Sequence, residues 1–476
     1  MTTDLRPYPE YKNSGLAWLG QIPAHWEVRR CKYLFREVDE RSKTGEETHL
    51  SMSQQHGLIA SSDLDGRRLY SESYAGGKLC QANDLVLNRL KAHLGVFARA
   101  RQPGVVSPDY TVLRPLHDDD VVFFELLFKT PACVAELRCS TKGIVEGFWR
   151  LYTDDFYSTR VPVPPVEERN IILRFARAVD AKVRRFMLNR RRLIEVLNEQ
   201  KQAIINRAVT RGLDPNVRLK PSGVDWLGDV PKHWTVCRLK RQLVSNDGGV
   251  WGSGFSDDGV YVLRSTEQTV DGRWRMANPA KRVLTQGERE AAGLRAGDLL
   301  VTKSSGSPAH IGKATLVSAD IAAMGCCFSN FMQRLRLRRD VDPRFIWYVL
   351  NSPIARRQFC YLSNSTTGLG NLSGEILGAI WVCIPPAADQ SSVLEQLSAQ
   401  LHPFESGIGV AQHEIDLIRE YRTRLIADVV TGKVDVRGLA PAESLPADEQ
   451  IDEGIDDEEM PGGNESELAG DAGEND

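Results

Sequence analysis

Apolar and polar positions follow two textures along this 476-residue chain, and each texture occurs twice. Residues 35–165 hold short apolar runs set between turn signals: 84–88 (DLVLN), 94–98 (LGVFA) and 110–114 (YTVLR), with turns at Asp65-Gly66 and Gly76-Gly77. Residues 27–34 read as a first strand. Short strands at this spacing predict a twisted, mixed β module, with helical stretches at 120–128 and 131–138 beside it. Val161-Pro-Val-Pro-Pro165 closes the module, because dense proline disfavours helix and sheet interior alike. From about 166 to 211 neither Pro nor Gly occurs. Apolar residues there recur in steps of three and four: Phe175, Val179, Val183, Phe186, Leu193, Leu197, Ile204 and Ala208, with Arg190 and Lys201 interrupting. That is the seam of a long amphipathic helix that needs a coiled-coil mate, a rod of roughly 67 Å.

Both textures then return. Residues 241–384 alternate short strands with Gly-rich turns, at 261–264, 298–302, 314–318 and 331–337, and 345–351 is helical. Residues 297–303 (GDLLVTK) echo 83–89 (NDLVLNR). After Ile384-Pro385-Pro386 a second long helix is predicted over 393–430, with the stripe Leu397, Leu401, Phe404, Ile408, Ala411, Ile415, Ile418, Leu425 and Val429. At an offset of 221 it overlays the first: Val183/Phe404, Ile194/Ile415, Leu197/Ile418, Ile204/Leu425, Ala208/Val429 and Thr210/Thr431, while Lys201 falls on Arg422. Pro403, Gly407 and Gly409 are expected to kink or loosen its first third. Each helix is the natural mate of the other, and an antiparallel pair would set the two modules at opposite ends of one rod.

A shared lead-in precedes each module. Residues 12–32 (KNSGLAWLGQIPAHWEVRRCK) and 220–240 (KPSGVDWLGDVPKHWTVCRLK) are identical at twelve of 21 positions, including Trp18/Trp226, Gly20/Gly228, Pro23/Pro231, His25/His233 and Trp26/Trp234. This is an internal duplication of whole modules. Trp18, His25 and Trp26 read as anchors at a domain edge, because no nucleophile or carboxylate accompanies His25 in both copies. Between the lead-in and the closing prolines the copies share little. The fold class is therefore α+β: two mixed α/β modules separated by two long antiparallel coiled-coil helices, related by an internal pseudo-twofold repeat and followed by a disordered acidic tail. The boundaries are 1–165, first module; 166–212, first helix; 213–385, linker and second module; 386–437, second helix; 438–476, tail.

Charge changes this picture in one respect. The net charge of −3 hides a tail, residues 438–476, with 14 acidic residues and no Lys or Arg. Its acidity and near-absence of aromatics are signs of disorder. Residues 1–437 carry 60 basic against 49 acidic residues, a net of +11, as expected of a phosphate-binding protein. No run of about 18 apolar residues predicts a membrane span, and the N-terminus has no basic-then-apolar signal region, so a cytoplasmic protein is expected. The nine cysteines show no CxxC spacing, and Cys326-Cys327 are adjacent, which favours reduced thiols over a disulfide framework or zinc site.

Catalytic chemistry has no candidate. The sequence has no GxxxxGK[ST], no GxGxxG after a strand, no HExxH, no metal-spaced His/Cys cluster and no DPPY- or NPPY-type tetrapeptide. Glu167-Glu168 and the run at 457–459 read as solvated acids. The chain is expected to bind and not to catalyse. Two β modules at fixed separation suit a ligand with two sites along a line. Duplex DNA is one, and the predicted rod matches about two of its ~34 Å turns. Phosphate contacts would position such a protein, and Arg, Lys, Gln and Asn at base edges would specify sequence.

With these residues in view, the chain resembles the specificity (S) subunit of type I restriction-modification systems. The resemblance rests on SGxxWLGxxPxHW at 14–26 and 222–234, and on the helix openings Pro164-Pro165-Val-Glu167-Glu168-Arg169 and Pro385-Pro386-Ala-Ala-Asp389-Gln390. It also rests on the closings Ala208-Val-Thr210-Arg-Gly212 and Val429-Val-Thr431-Gly432-Lys433. Together they frame residues 11–437. The second opening departs from the pattern, with Ala-Ala-Asp for a Glu-Glu-like run.

The resemblance implies that each module is a target-recognition domain reading one half of a bipartite, asymmetric double-stranded DNA sequence. It implies helices that space the modules and dock two adenine-N6 methyltransferase (M) subunits, with restriction (R) subunits added, for DNA methylation and host defence. It implies no activity or cofactor in this chain: S-adenosylmethionine belongs to M, ATP and Mg²⁺ to R. Candidate DNA-contacting residues in the first module are Gln54, Gln55, Arg89, Lys91, His93, Lys142 and Arg150. In the second they are Arg264, Lys303, Ser304, Ser305, Lys313, Thr366, Thr367 and Asn371. Thr141-Lys142-Gly143 and Thr366-Thr367-Gly368 stand at similar places before each proline exit, and Lys303-Ser304-Ser305-Gly306 has the look of a phosphate-cradling turn. Two other readings stay open at this point: a type II-like fused nuclease-methyltransferase system using the same fold, and a scaffold for helical partners that binds no DNA.

Overall fold

A computed structural model of the chain describes residues 5–53, 57–63, 74–117, 121–143, 149–305, 310–362 and 372–439. The acidic tail beyond 439 and the Asp65-Gly66 turn lie outside them. The chain divides into two compact units, Met1–Arg190 with His413–Asp476, and Arg191–Gln412. Each long helix runs through the division, so each unit holds one module and a segment of both helices.

In the first unit a four-stranded antiparallel sheet runs in the order Phe35–Val38, Tyr110–Pro115, Leu85–Asn88, Phe97–Arg99. Its register puts Val38, Val112, Val86 and Ala98 in one row, hence on one face, where they join a core with Leu50, Leu58 and Val106. The neighbouring row, with Leu87 and Phe97, faces the other way. There Phe35, Phe97, Phe124, Phe128 and Phe156 pack as rings, with Phe97 and Phe128 stacked at 5.1 Å and Phe128 and Phe156 tilted at 5.4 Å. Helix Val121–Phe128 supplies two of the five. Full burial of each ring stabilises by about 1.5–3 kcal/mol. The proline-dense exit forms a strand after all. Arg160–Val163 pairs with Glu27–Arg30, and Pro162 lies opposite Val28. The ribbon has only two strands, so the missing proline donor costs no interior hydrogen bond.

The second unit repeats the plan. Its sheet order is Leu243–Gly248, Met332–Leu337, Leu299–Thr302, Ala314–Leu316, and its exit strand Trp381–Ile384 pairs with Thr235–Arg238. The echoed heptapeptides prove equivalent in detail. Asn83 and Gly297 both take positive φ, 71° and 89°, a conformation open to Gly and tolerated by Asn. The next residue, Asp84 or Asp298, is buried and accepts a backbone N–H at 2.8 Å, from Gln81 or Arg295. Each also receives a two-pronged guanidinium from the adjoining strand, Arg114 at 3.0 and 3.1 Å and Arg336 at 2.7 Å twice. That carboxylate holds both arginines above their ordinary pKa. The units differ beside this sheet. The first has two two-stranded ribbons, Leu50–Ser53 with Gly57–Ala60 and Lys78–Cys80 with Gly104–Val106. The second has one three-stranded sheet of Ala280–Arg282, Phe255–Leu263 and Cys327–Phe328.

The long helices span Val166–Arg211 and Ala387–Val430. The second begins six residues before the predicted start at 393 and continues through Pro403, whose missing N–H leaves the Ala399 carbonyl without a helical donor. Within each unit the helix segments pair antiparallel. Asp180 meets Arg422 at 2.7 Å and Arg190 meets Glu414 at 2.7 Å in the first, and Lys201 meets Glu405 at 2.9 Å in the second. The polar interruptions of the stripe are therefore cross-helix ion pairs that set its register. The buried stripe of the first helix also shifts. Val179, Val183 and Ala208 are buried as expected, together with Ile172, Ala176, Met187 and Ile205, while Leu193 is 39% exposed. No helix among the described residues is long and apolar enough to cross a membrane.

The lead-in motifs form ribbons, Tyr11–Asn13 with Gln21–Pro23 and Leu219–Pro221 with Asp229–Pro231. Two expectations fail here. A carboxylate does accompany the shared histidine in both copies, supplied by the first turn of a long helix. His25 Nε2 lies 2.6 Å from Glu168 and His233 Nε2 lies 3.2 Å from Asp389. Nor is Glu168 solvated. It is buried and accepts from Tyr8 Oη at 2.6 Å and Trp26 Nε1 at 3.0 Å as well. Partners 143 residues apart in sequence gave no local sign of this pairing. Burial and the Glu168 hydrogen bond raise the Tyr8 phenol above its ordinary range. The helix closings complete the joint: Gly432 abuts Pro23 and Trp26 in the first unit, and Gly212 abuts Trp234 in the second. The anchoring role expected of the Trp and His pairs thus has a geometry, with the start of one helix and the end of the other gripping each motif.

Candidate nucleic-acid interface

In both units the central strand ends on a basic residue, Arg89 after Leu85–Asn88 and Lys303 after Leu299–Thr302. A second segment is tied there at the same point. Arg89 O accepts from Leu151 N at 3.2 Å, and Lys303 O accepts from Leu372 N at 2.9 Å. Leu151 and Leu372 therefore return to equivalent positions before the exit strands. Among the described residues, most of the sequence-selected ones converge on this rim, where the central strand meets Leu151 or Leu372.

In the first unit Asn88 caps a 3-10 segment, Arg89–Leu94, by accepting from Leu90 N at 3.1 Å. Lys91 is exposed on it and makes no ion pair among the described residues. Arg89 Nε donates to Asp109 O at 2.8 Å, which commits part of its guanidinium to holding the turn. Lys142 and Arg150 bridge through both backbone N–H groups, at 2.9 and 2.8 Å. The Lys142 ammonium meets Asp155 at 2.7 Å but stays 68% exposed. Arg89, Lys91, Lys142 and Arg150 thus come together. Gln54, Gln55 and the His93 side chain lie outside the described residues.

In the second unit Lys303 N and Ser304 N both donate to Phe331 O, at 2.9 and 3.4 Å, and the Lys313 carbonyl accepts from Thr302 N at 3.0 Å. Lys303, Ser304, Ser305 and Lys313 therefore flank one hairpin mouth. Burial, together with the Arg356 charge, lowers the Lys313 pKa. Arg264 stands apart from them. Its Nη2 meets buried Glu267 at 2.8 Å and its backbone N–H donates to the same carboxylate at 2.6 Å, so it caps a turn and neutralises an acid, which leaves little of it for a ligand. Thr366, Thr367 and Asn371 lie outside the described residues.

Sequence reasoning passed over two features. Asn246 Oδ1 accepts from Gln333 Nε2 at 2.7 Å, while Asn246 Nδ2 donates to Gly374 O at 2.8 Å, so two amides meet beside the rim. A Cβ at Gly248 would sit 3.7 Å from Lys303 Nζ and 3.9 Å from Gln333 Oε1, which places that lysine over them. The other feature is an aromatic–arginine stack around Arg282. No short motif marks either, since both are assembled from separate strands.

No protein-family model matches the chain. It is 23% identical over 298 residues to the type I restriction enzyme EcoKI specificity subunit of Escherichia coli K12, covering 59% of this chain and 62% of that one. It is 20% identical over 282 residues to the type I restriction enzyme MjaX specificity subunit of Methanocaldococcus jannaschii, covering 58% and 60%. Each match spans less than two thirds of the relative. A solved chain from work on complex assembly and conformational transition of the type I R-M system superposes with a TM-score of 0.54 at 15% identity, over 86% of this chain and 98% of that one, which establishes a shared fold. In sequence the chain is similar to the specificity subunits of type I restriction enzymes, and in fold to a chain of the type I R-M system.

Proposed function

We propose that this chain is the non-catalytic DNA-recognition subunit of a type I restriction-modification system. Each unit reads one half of a bipartite, asymmetric target. The observation that carries this is one scaffold with two different rims. Sheet order, the buried Asp–Arg fork and the tie from Leu151 or Leu372 repeat, while the side chains at the mouth do not. A duplicated reader with identical rims would suit a symmetric target; divergent rims suit two unlike half-sites. Base contacts specify and phosphate contacts position, so exposed Lys91 and Lys142 serve as phosphate contacts. The helices space the units and dock two methyltransferase subunits, with restriction subunits added. Exposed Leu188 and Leu417 in the first unit, and Leu193 and Val410 in the second, support a partner surface on them. S-adenosylmethionine, ATP and Mg²⁺ are used in the partner subunits.

The test is methylation mapping in cells carrying this chain and its methyltransferase partner. One split adenine-methylated motif is expected, and exchange of residues 30–160 for those of a homologue should change one half of it. Finding no motif would refute the proposal, and a change in both halves would refute its modular form.

A further inference from the structure

The second unit carries an arm that has no counterpart among the described residues of the first. Strand Phe255–Leu263 pairs with Ala280–Arg282 in a broken register: Arg282 lies opposite both Phe255 and Val260, so residues 256–259 are extruded as a bulge. Gly259 permits it, since a Cβ there would sit 2.7 Å from the Arg282 backbone nitrogen. Beneath the bulge the Arg282 guanidinium lies 4.1 Å from the Trp251 ring centre and 4.3 Å from that of Phe255. Arg282 is only 6% exposed. Among the described residues it has no carboxylate partner, and its Nε has no hydrogen-bond acceptor. Phe255, on top of it, is 72% exposed.

Each of these is costly for a free protein. A buried cation without a counter-charge loses hydration that ring faces only partly replace, and a phenyl ring left mostly in water gains nothing from it. Bulges re-aim side chains and cluster at functional sites. The arm also stands beside the rim. Val250 N, just before it, donates to Phe328 O at 2.9 Å, and Lys303 N donates to Phe331 O at 2.9 Å, so one short turn holds both. On the bulge, Asp257 and Asp258 are exposed and make no ion pair among the described residues. Two free carboxylates repel phosphate, but they can accept from the amino group of cytosine.

We propose that the arm at 251–259 is a base-contacting finger of the second unit, with Phe255 stacking on a nucleobase and Asp257 and Asp258 accepting from base amino groups. This inference rests on the DNA-recognition reading above. Arg282, itself against Trp251, backs the ring, so only its outer face is presented. Among the described residues the first unit has no guanidinium lying over two rings, and the finger therefore acts on one half-site.

The experiment uses the full chain with its methyltransferase partner and a duplex bearing the motif that methylation mapping returns for the wild type. Phe255→Ala should weaken binding to that duplex about tenfold, the scale of one lost base–aromatic stack, with the salt dependence of binding unchanged because no phosphate contact is removed. Phe255→Tyr should bind as the wild type, whereas Phe255→Leu, which keeps apolar bulk and folding, should lose as much as Phe255→Ala. Asp257→Asn with Asp258→Asn should relax one base position of one half-site and leave the other half intact. Unchanged binding by the Leu variant, or a loss in it accompanied by a shallower salt dependence, would overturn the finger. A wild type that yields no motif at all would overturn the DNA-recognition reading itself.

Discussion

The two lead-in motifs are nearly the same in sequence and unlike in physics. Around His25 the helix carboxylate is sealed in: the Glu168 side chain is 6% exposed and takes three donors. Around His233 the equivalent carboxylate, Asp389, is 46% exposed at 3.2 Å from a histidine that is itself half-exposed. The buried polar work there passes to the next residue. Gln390 accepts from Asp342 N at 2.6 Å and donates to Asp340 O and Pro385 O at 3.1 Å. A shared histidine with a helix carboxylate at the equivalent place therefore does not guarantee an identical energetic role. Shielding from water decides whether the ion pair is a structural joint or a surface contact.

This contrast can be broken by experiment. Glu168→Ala strands two buried donors, Tyr8 and Trp26, and frees His25, and should cost about 3 kcal/mol, read as faster hydrogen exchange in Glu27–Arg30. Asp389→Ala should cost about 0.5 kcal/mol in Thr235–Arg238, as exposed pairs do. Equal losses would show that burial does not separate the two joints. The closing glycines sharpen the same comparison. Gly432→Ala meets Pro23 Cγ at 2.9 Å and Trp26 at 3.0 Å on top of a φ of +80°, and should cost about 3 kcal/mol. Gly212→Ala has its nearest neighbour, Trp234, at 3.5 Å and should cost only the left-handed strain, about 1 kcal/mol. Thermal unfolding of the two variants would rank them.

Smaller effects are expected between the helices. Arg422→Ala leaves the buried Asp180 carboxylate unpaired and should cost about 2 kcal/mol. Lys201→Ala should cost about 0.5 kcal/mol, since Glu405 keeps Arg273 at 3.1 Å. Arg192→Ala removes an exposed helix-surface pair with Glu195 and should cost about 0.3 kcal/mol. Denaturant titration of the three variants checks the order, and a Lys201 loss equal to that of Arg422 would remove the shielding argument from the helices as well.

The amino-acid sequence by itself determined whatever is written in local periodicity. The first helix spans its predicted limits, because 46 residues without Pro or Gly and with a 3–4 stripe have one good conformation. The duplication and the equivalence of NDLVLNR with GDLLVTK were also legible, since the same turn and buried Asp recur at a fixed offset. Arg89, Lys91, Lys142 and Arg150 stand out in the sequence because basic residues in turn-rich segments carry their own signal, and the fold brings them near one another. The tertiary structure alone decided what depends on partners far apart in sequence. Glu168 reads as one of two solvated acids until Tyr8, His25 and Trp26 close over it. Arg264 reads as a free cation until Glu267 takes it. The stack of Trp251, Phe255 and Arg282 joins a loop and two strands across a bulge. Local pattern sets which elements form, but burial and pairing are properties of the assembled surface, and they decide which charges anchor the fold and which remain free to meet a ligand.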